Sequence, residues 1–373
     1  MQTSRGTILA ITLGDPAGVG PEVALRAART LLRPAPGTAR VARRAPAPRI
    51  VLIGDLGATR ETIARLRLGI EVLPWTAAEL ARAVLPAVTK GTRLVLPLLA
   101  PDPARARALR PRELRPGKPS LAGARLAYAS ICRAVELALD RVVDAICTAP
   151  INKEWFDRAG VASTGHTEIL AALSGAGRVR LMMAHPKLRI VLATTHVALR
   201  DVPDALSVAG VRDTIQVTAR HLVRWFGIAR PRIAVAALNP HASDGGIYGD
   251  EEARILAPAI RRARAAGVDA FGPVPADTLF SALGPRCDAV VAMYHDQGLI
   301  PVKQLGVHEA VNVTLGLPFI RTSPDHGTAY DLAAKGGADP RSMQAALALA
   351  LDLARIERRH SRSTQARRSA PAA

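Results

Sequence analysis

Three histidines stand in three separate polar turns, each just after an apolar stretch. They are Thr194-Thr195-His196, Asn239-Pro240-His241 and Tyr294-His295-Asp296. The apolar leads are Ile190 to Ala193, Ile233 to Leu238 and Ala289 to Met293. Each lead reads as a buried strand that ends in a polar, ligand-facing tip. Imidazoles at the ends of neighbouring strands are well suited to hold a divalent metal. One such histidine alone reads as an ordinary loop or core residue. Three in the same strand-end context point to a metal, and a metal beside phosphate-binding groups implies an enzyme.

Groups suited to an anion lie elsewhere in the chain. Thr148-Ala149-Pro150-Ile151-Asn152-Lys153 follows a strand and opens a helix, and Thr164-Gly165-His166-Thr167-Glu168 opens another. Gly165, the Thr167 hydroxyl and the His166 imidazole beside a helix N-terminus suit a phosphate or carboxylate. Ordinary N-capping by Thr164 or Thr167 is the alternative. Lys303, Asn312 and Arg321 follow His295-Asp296-Gln297. Two cations and an amide are what a phosphorylated small molecule needs. The polar run Thr322 to Ala329 suits either a dinucleotide pyrophosphate or a capped helix start. The turn Gly14 to Glu22 is either an anion cradle or a tight turn that packs strand on helix. It is not the dinucleotide fingerprint, because Val23 stands at the third glycine position. Gly117-Lys118-Pro119-Ser120 is not a P-loop, because Arg112 occupies the required first glycine position.

The elements that must position these groups alternate between strand and helix. Thr7 to Thr12, Arg49 to Ile53 and Asp144 to Cys147 read as strands, like the three leads above. Helices are expected over Pro21 to Leu32, Ser120 to Leu139, Asp204 to Phe226, Gly249 to Ala266 and Pro340 to Arg358. Leu121, Ala124, Ala127, Ile131, Ala134 and Val135 line one side of the second. Short continuous apolar strands between helices predict an α/β fold with a largely parallel sheet. Pro34 to Pro48 is expected to be a surface loop and the tail after Arg359 unstructured.

Length, 373 residues, suits two domains or one large α/β unit. No apolar run approaches the roughly eighteen residues of a membrane span, and the N-terminus lacks the regions of a signal peptide. Three scattered cysteines, Cys132, Cys147 and Cys287, have neither zinc-ribbon nor disulfide spacing. A reducing cytoplasm is the expected compartment. The net charge of +19 raises the possibility of nucleic acid. Much of it, however, is Arg in three stretches, Arg33 to Arg49, Arg105 to Arg115 and Arg355 to Arg368, without aromatic platforms for bases. Salt-sensitive adhesion to polyanions is expected rather than specific nucleic-acid binding.

Taken in order, these motifs resemble one family. Gly14 to Glu22, Thr148 to Lys153, Thr164 to Glu168, Leu238 to Ala242, Pro275 to Thr278, Met293 to Gly298 and Leu315 to Ser323 are similar to the 4-hydroxythreonine-4-phosphate dehydrogenases of vitamin B6 synthesis, over about residues 7 to 355. The resemblance implies two α/β/α domains of the isocitrate/isopropylmalate dehydrogenase type with a cleft between them. It implies a homodimer with a metal site shared across the interface, NAD(P), and a divalent metal such as zinc, magnesium, cobalt or manganese. The expected division is 1–145 with 300–358, then 146–299 carrying most metal ligands and the dimer interface, then a basic tail, 359–373.

Carried over position by position, the resemblance makes His196, His241 and His295 the metal ligands. His166, Thr167, Lys303, Asn312 and Arg321 become substrate contacts. Asp277 and Asp296 match acidic positions near the metal and are catalytic candidates. The dinucleotide would lie along Leu315 to Ala329, with Gly316, Thr322, Asp325 and Gly327 as candidate contacts. The implied reaction is oxidation of 4-phosphooxy-L-threonine at C3, then decarboxylation to 3-amino-2-oxopropyl phosphate. D-erythronate or D-threonate 4-phosphate is an alternative substrate on the same scaffold. Retention of His166, Thr167, Lys303 and Arg321 argues against a third type that acts on aromatic cis-diol carboxylates. One departure stands out: Ala242-Ser243-Asp244-Gly245-Gly246 occupies a loop where the family more often has Ala-Gly-Glu.

Overall fold

The computed structural model describes residues 6–33, 47–82, 88–90, 93–101, 114–161, 165–281 and 286–369. The Arg-rich stretches around 34–46 and 102–113, and Thr164, lie outside them. The chain forms two compact units, Met1–Gly177 with Leu317–Arg355, and Arg178–Gly316 with Ile356–Ala373.

The first unit is built on β1 (Ile8–Thr12), β2 (Arg49–Ile53), β3 (Ile70–Trp75), β4 (Val88–Lys90), β5 (Arg93–Leu99) and β6 (Ala145–Thr148). The second contains β7 (Arg180–His185), β8 (Leu188–Leu192), β9 (Ile233–Ala236), β10 (Ala270–Val274), β11 (Ala289–Ala292) and β12 (Val311–Leu315). The last strand, β13 (Ile320–Ser323), returns to the first unit. In the first unit the order is β13-β6-β1-β2-β5-β3, every pair parallel, with β4 antiparallel on β5. Ile8 to Thr12 and Ala145 to Thr148 are buried at every position. A parallel sheet covered on both faces selects such continuous apolar runs. The helix Leu121–Leu139 begins where Ser120 Oγ accepts from the Gly123 amide at 3.1 Å, an N-cap that starts it at the expected residue.

In the second unit the order is β10-β9-β11-β8-β7-β12. The first four strands run parallel; β7 is antiparallel to both β8 and β12. Its core packs Met183, Ile190, Leu192, Ala234, Val290 and Leu299. Leu192→Ala there would leave a cavity costing about 2–5 kcal/mol.

The division differs from the expected one. β6 pairs with β1 and β13, which keeps 146–177 in the first unit. β12 pairs with β7, which keeps 300–316 in the second. The tail differs too. The last helix spans Arg341–Ser369, because no proline or glycine interrupts that stretch. The helix expected over Asp204 to Phe226 breaks at Leu206 and restarts as Val208–Arg224, capped by Ser207. Among the described residues no helix is long and apolar enough to cross a membrane.

Candidate functional site

In the first unit, adjacent strand ends bury a cation. β13 lies beside β6 with Arg321 opposite Ile146 and Thr322 opposite Cys147. Arg321 is 1% exposed, and its Nε and Nη2 donate to Thr148 Oγ1 at 3.1 and 2.6 Å. Burial draws its pKa down to about 10, against the opposing pull of Cys147 and Glu168. After β6 the chain turns into the helix Lys153–Arg158, where Asn152 Oδ1 accepts from the Trp155 amide. The next helix, His166–Ser174, starts at Gly165 with no capping side chain among the described residues, and Thr167 lies in its first turn.

Burial, and then the cations Arg321 and Lys153, hold the His166 imidazolium well below its ordinary pKa. Its ring is therefore neutral at pH 7. Its Nε2 is buried without a hydrogen-bond partner among the described residues. A Cβ at Gly165 would lie 3.3 Å from Lys153 Cε and 3.0 Å from Glu168 Oε2. This glycine lets the helix start pass close to a lysine. A neutral ring facing two cations and an uncapped helix start is suited to an anionic group, which would supply the hydrogen bond that Nε2 lacks.

The candidate cofactor positions fall in both units. Gly316 follows β12 with φ 93°, and a Cβ there would collide with the Arg178 carbonyl oxygen. Its amide donates to His221 Nε2 at 3.2 Å. Thr322 is fully buried and its hydroxyl donates to the Ala346 carbonyl. Both residues thus have structural duties. Asp325 and Gly327 lie in the loop after β13, where the Asp325 amide donates to Ser342 Oγ. The glycine turn after β1 docks on this loop: the Val19 amide donates to the Thr328 carbonyl at 2.8 Å. Of the two readings of Gly14 to Glu22, the packing turn is the one seen.

In the second unit, β9, β11 and β8 are parallel neighbours, so the segments bearing His241, His295 and His196 leave the same sheet edge. The rings of His196 and His295 have centroids 5.8 Å apart. His295 Nδ1 is 2.7 Å from Asp296 Oδ1. The carboxylate can only accept, so Nδ1 carries the proton and the lone pair stays on Nε2. His241 stands apart, its ring 6.3 Å from that of Tyr248. Among the described residues no three His, Cys, Asp or Glu side chains are arranged to hold a metal. The His196–His295 pair, with its oriented tautomer, fits part of such a site. Asp277 is exposed in the short helix Ala276–Leu279 beyond β10. Lys303 is exposed near the end of the helix His295–Gln304. Asn312, on β12, has its Oδ1 buried and, among the described residues, unpartnered.

His241 sits on an unusual backbone. His241 to Gly245 all have positive φ, between 42° and 71°. Glu252, 4% exposed, begins a π-helical turn, Glu252–Leu256, and points back at this segment. Its Oε1 accepts from the Leu238 and Asn239 amides, each at 2.8 Å, and its Oε2 from Asn239 Nδ2 at 2.9 Å and from Ser243 Oγ. Burial disfavours its charge, but the bonds from Asn239 and Ser243 outweigh that and hold its carboxyl below the ordinary value.

Residues 47–350 match the family model of the pyridoxal phosphate biosynthetic protein PdxA. The chain belongs to the PdxA family. A 4-hydroxythreonine-4-phosphate dehydrogenase of Geobacter metallireducens is 45% identical over 355 residues, covering 94% of this chain and 96% of the relative. A D-threonate 4-phosphate dehydrogenase of Salmonella typhimurium is 42% identical, covering 93% and 98%. The crystal structure of 4-hydroxythreonine-4-phosphate dehydrogenase from Klebsiella pneumoniae aligns with TM-score 0.76 at 38% identity, covering 94% of this chain and all of that one. The fold expected from the motifs is thus the fold of the PdxA family. Sequence reasoning did not single out Lys153, Thr148 or Glu252. The first two stand in a motif already noted, at a strand end and a helix start. Glu252 carried no signal, because its partners lie nine to fourteen residues away.

Proposed function

We propose that this PdxA-family member oxidises 4-phosphooxy-L-threonine at C3 with NAD(P)+ and decarboxylates the product to 3-amino-2-oxopropyl phosphate. Substrate and NAD(P)+ give the aminoketone phosphate, CO2 and NAD(P)H. The buried Arg321–Thr148 pair and the His166 imidazole, whose Nε2 has no partner among the described residues, carry this reading. Arg321 and His166 hold the phosphate, and Thr167 adds its hydroxyl from the first helical turn. Lys303 and Asn312 contact the rest of the substrate, for which Asn312 Oδ1 has an unused acceptor. Asp325 and Gly327 flank the dinucleotide.

His196, His241 and His295 hold a divalent metal, with Asp296 fixing the His295 tautomer. Such a metal, when bound, acts as a Lewis acid on the alcohol oxygen. The third ligand comes from a second copy of the chain. Two observations support this. His241 does not join the His196–His295 pair within one chain. Large apolar side chains are exposed on the segments that follow the histidines: Val197, Leu199, Ile247, Tyr248 and Ile300. Exposed apolar surface of this kind marks an interface. A homodimer in the cytoplasm is the form proposed, without specific nucleic-acid binding.

The test is nicotinamide reduction by metal-loaded protein with 4-phosphooxy-L-threonine, D-erythronate 4-phosphate and D-threonate 4-phosphate in parallel. Preference for the amino substrate supports the reading. Preference for D-threonate 4-phosphate, the substrate named for the Salmonella relative, moves the protein to sugar-acid oxidation. No reduction with any of them overturns the proposal.

A further inference from the structure

His241 is presented by backbone that resists its own conformation. Four side-chain-bearing residues in a row, His241, Ala242, Ser243 and Asp244, adopt left-handed φ values. L-residues visit that region singly and reluctantly, so a run of four persists only when its surroundings impose it. Among the described residues the His241 imidazole makes no hydrogen bond, so its place is set by its backbone.

One carboxylate grips that backbone on both sides. Glu252 accepts from the Leu238 and Asn239 amides and the Asn239 side chain ahead of His241, and from the Ser243 hydroxyl behind it. Glu251 Oε2 accepts from the same side-chain nitrogen, Asn239 Nδ2, at 2.8 Å. Gly249, at φ 131°, closes the loop over this cluster, and a Cβ there would lie 2.6 Å from Glu251 Oε2. Ser243, the departure noted in the sequence, thus supplies one of the four bonds. The π-helical turn at Glu252 is a costly local form that often marks functional positions.

We propose that Glu252 is the positioning residue for His241: its four hydrogen bonds hold the left-handed turn that aims the imidazole at the metal. This rests on the reading of His241 as a metal ligand.

The test is Co2+ titration of the full chain, followed by visible absorption, for wild type, Glu252→Gln, Ser243→Ala and His241→Ala. Leu222→Ala, a core truncation on the helix Val208–Arg224, controls for lost stability. Glu252→Gln keeps the shape but replaces an acceptor oxygen with a donor. It is expected to weaken Co2+ binding about 10- to 100-fold, as loss of supporting bonds around metal ligands does, and to change the visible band. Ser243→Ala shifts both in the same direction by less, and Leu222→Ala leaves both unchanged. Wild-type affinity and band in Glu252→Gln, with weak binding in His241→Ala, overturn the proposal but not the ligand assignment. Wild-type binding in His241→Ala overturns both. An equal loss in Leu222→Ala also overturns the proposal. If Glu252→Gln does not fold, Ser243→Ala decides: an unchanged affinity and band overturn the clamp.

Discussion

The hydroxyl of Tyr330 donates to Asp15 Oδ2 at 2.6 Å, joining residues 315 positions apart. Asp15 Oδ1 accepts from the Ala17 amide at 2.9 Å, so one buried carboxylate ties the turn after β1 to the loop after β13. A Cβ at Gly18 would lie 2.8 Å from the Thr328 carbonyl oxygen, so the two segments touch backbone to backbone. Tyr330→Phe is expected to cost about 1–3 kcal/mol, the penalty for stripping a buried acceptor of its donor. Chemical denaturation measures it. A KM increase for NAD(P) with kcat nearly unchanged would show that the tie also shapes the proposed dinucleotide loop.

Asp15 also predicts a pH dependence. Burial raises its pKa, against the lowering bonds from Tyr330 and Ala17. The native state therefore holds this proton at a higher pH than the unfolded chain. Its contribution is full below the ordinary carboxyl value and is lost as pH rises through the native one. Asp15→Asn removes that term. The stability of wild type relative to Asp15→Asn should fall across this window, and a constant difference would refute the assignment.

His166 works in the opposite sense. Its pKa is depressed by burial first and by Arg321 and Lys153 next, so the unfolded chain binds the proton more readily. Stability present above the ordinary imidazole value is lost as pH falls toward the native one. His166→Gln should therefore lose less stability than wild type between about pH 7 and pH 5. Inorganic phosphate should raise the pKa of His166, read from its ring proton resonance. No movement with saturating phosphate would argue against the anion pocket.

Arg321→Lys tests the same pocket by shape rather than charge. Lysine keeps the charge but cannot reproduce the planar fork on Thr148. We expect kcat/KM for the phosphorylated substrate to fall about 10- to 100-fold, matching about 1.5–3 kcal/mol for a charged hydrogen bond. Thr148→Val, which removes only the orienting partner, should cost less.

Chelation and histidine replacement test the metal. His196→Ala, His241→Ala and His295→Ala should each leave the far-ultraviolet circular dichroism unchanged and turnover reduced to near background. Chelator should abolish wild-type turnover, and added divalent metal should restore it. Turnover near wild type in all three variants, or in metal-free protein, would sink the assignment.

Much of this architecture is local and was legible in the residues. Arg49 to Ile53, Ile233 to Ala236 and Ala289 to Ala292 are strands because short, continuous apolar runs bury both faces. Ser120 starts its helix because a hydroxyl cap competes only with its immediate neighbours. His196, His241 and His295 could be picked out because polar residues at the ends of such strands have few other reasons to recur. Tertiary structure decided the rest. The order β9-β11-β8 brings those three segments to one edge, and strand order depends on contacts between distant segments that periodicity does not encode. The pairing of β6 with β1 and β13 moved the division of the chain to Gly177 and Leu317 for the same reason. Ala242 and Ser243 carry no glycine-like signature of a left-handed turn. Only the folded position of Glu252, whose four bonds offset the strain, makes that turn stable and gives His241 its place.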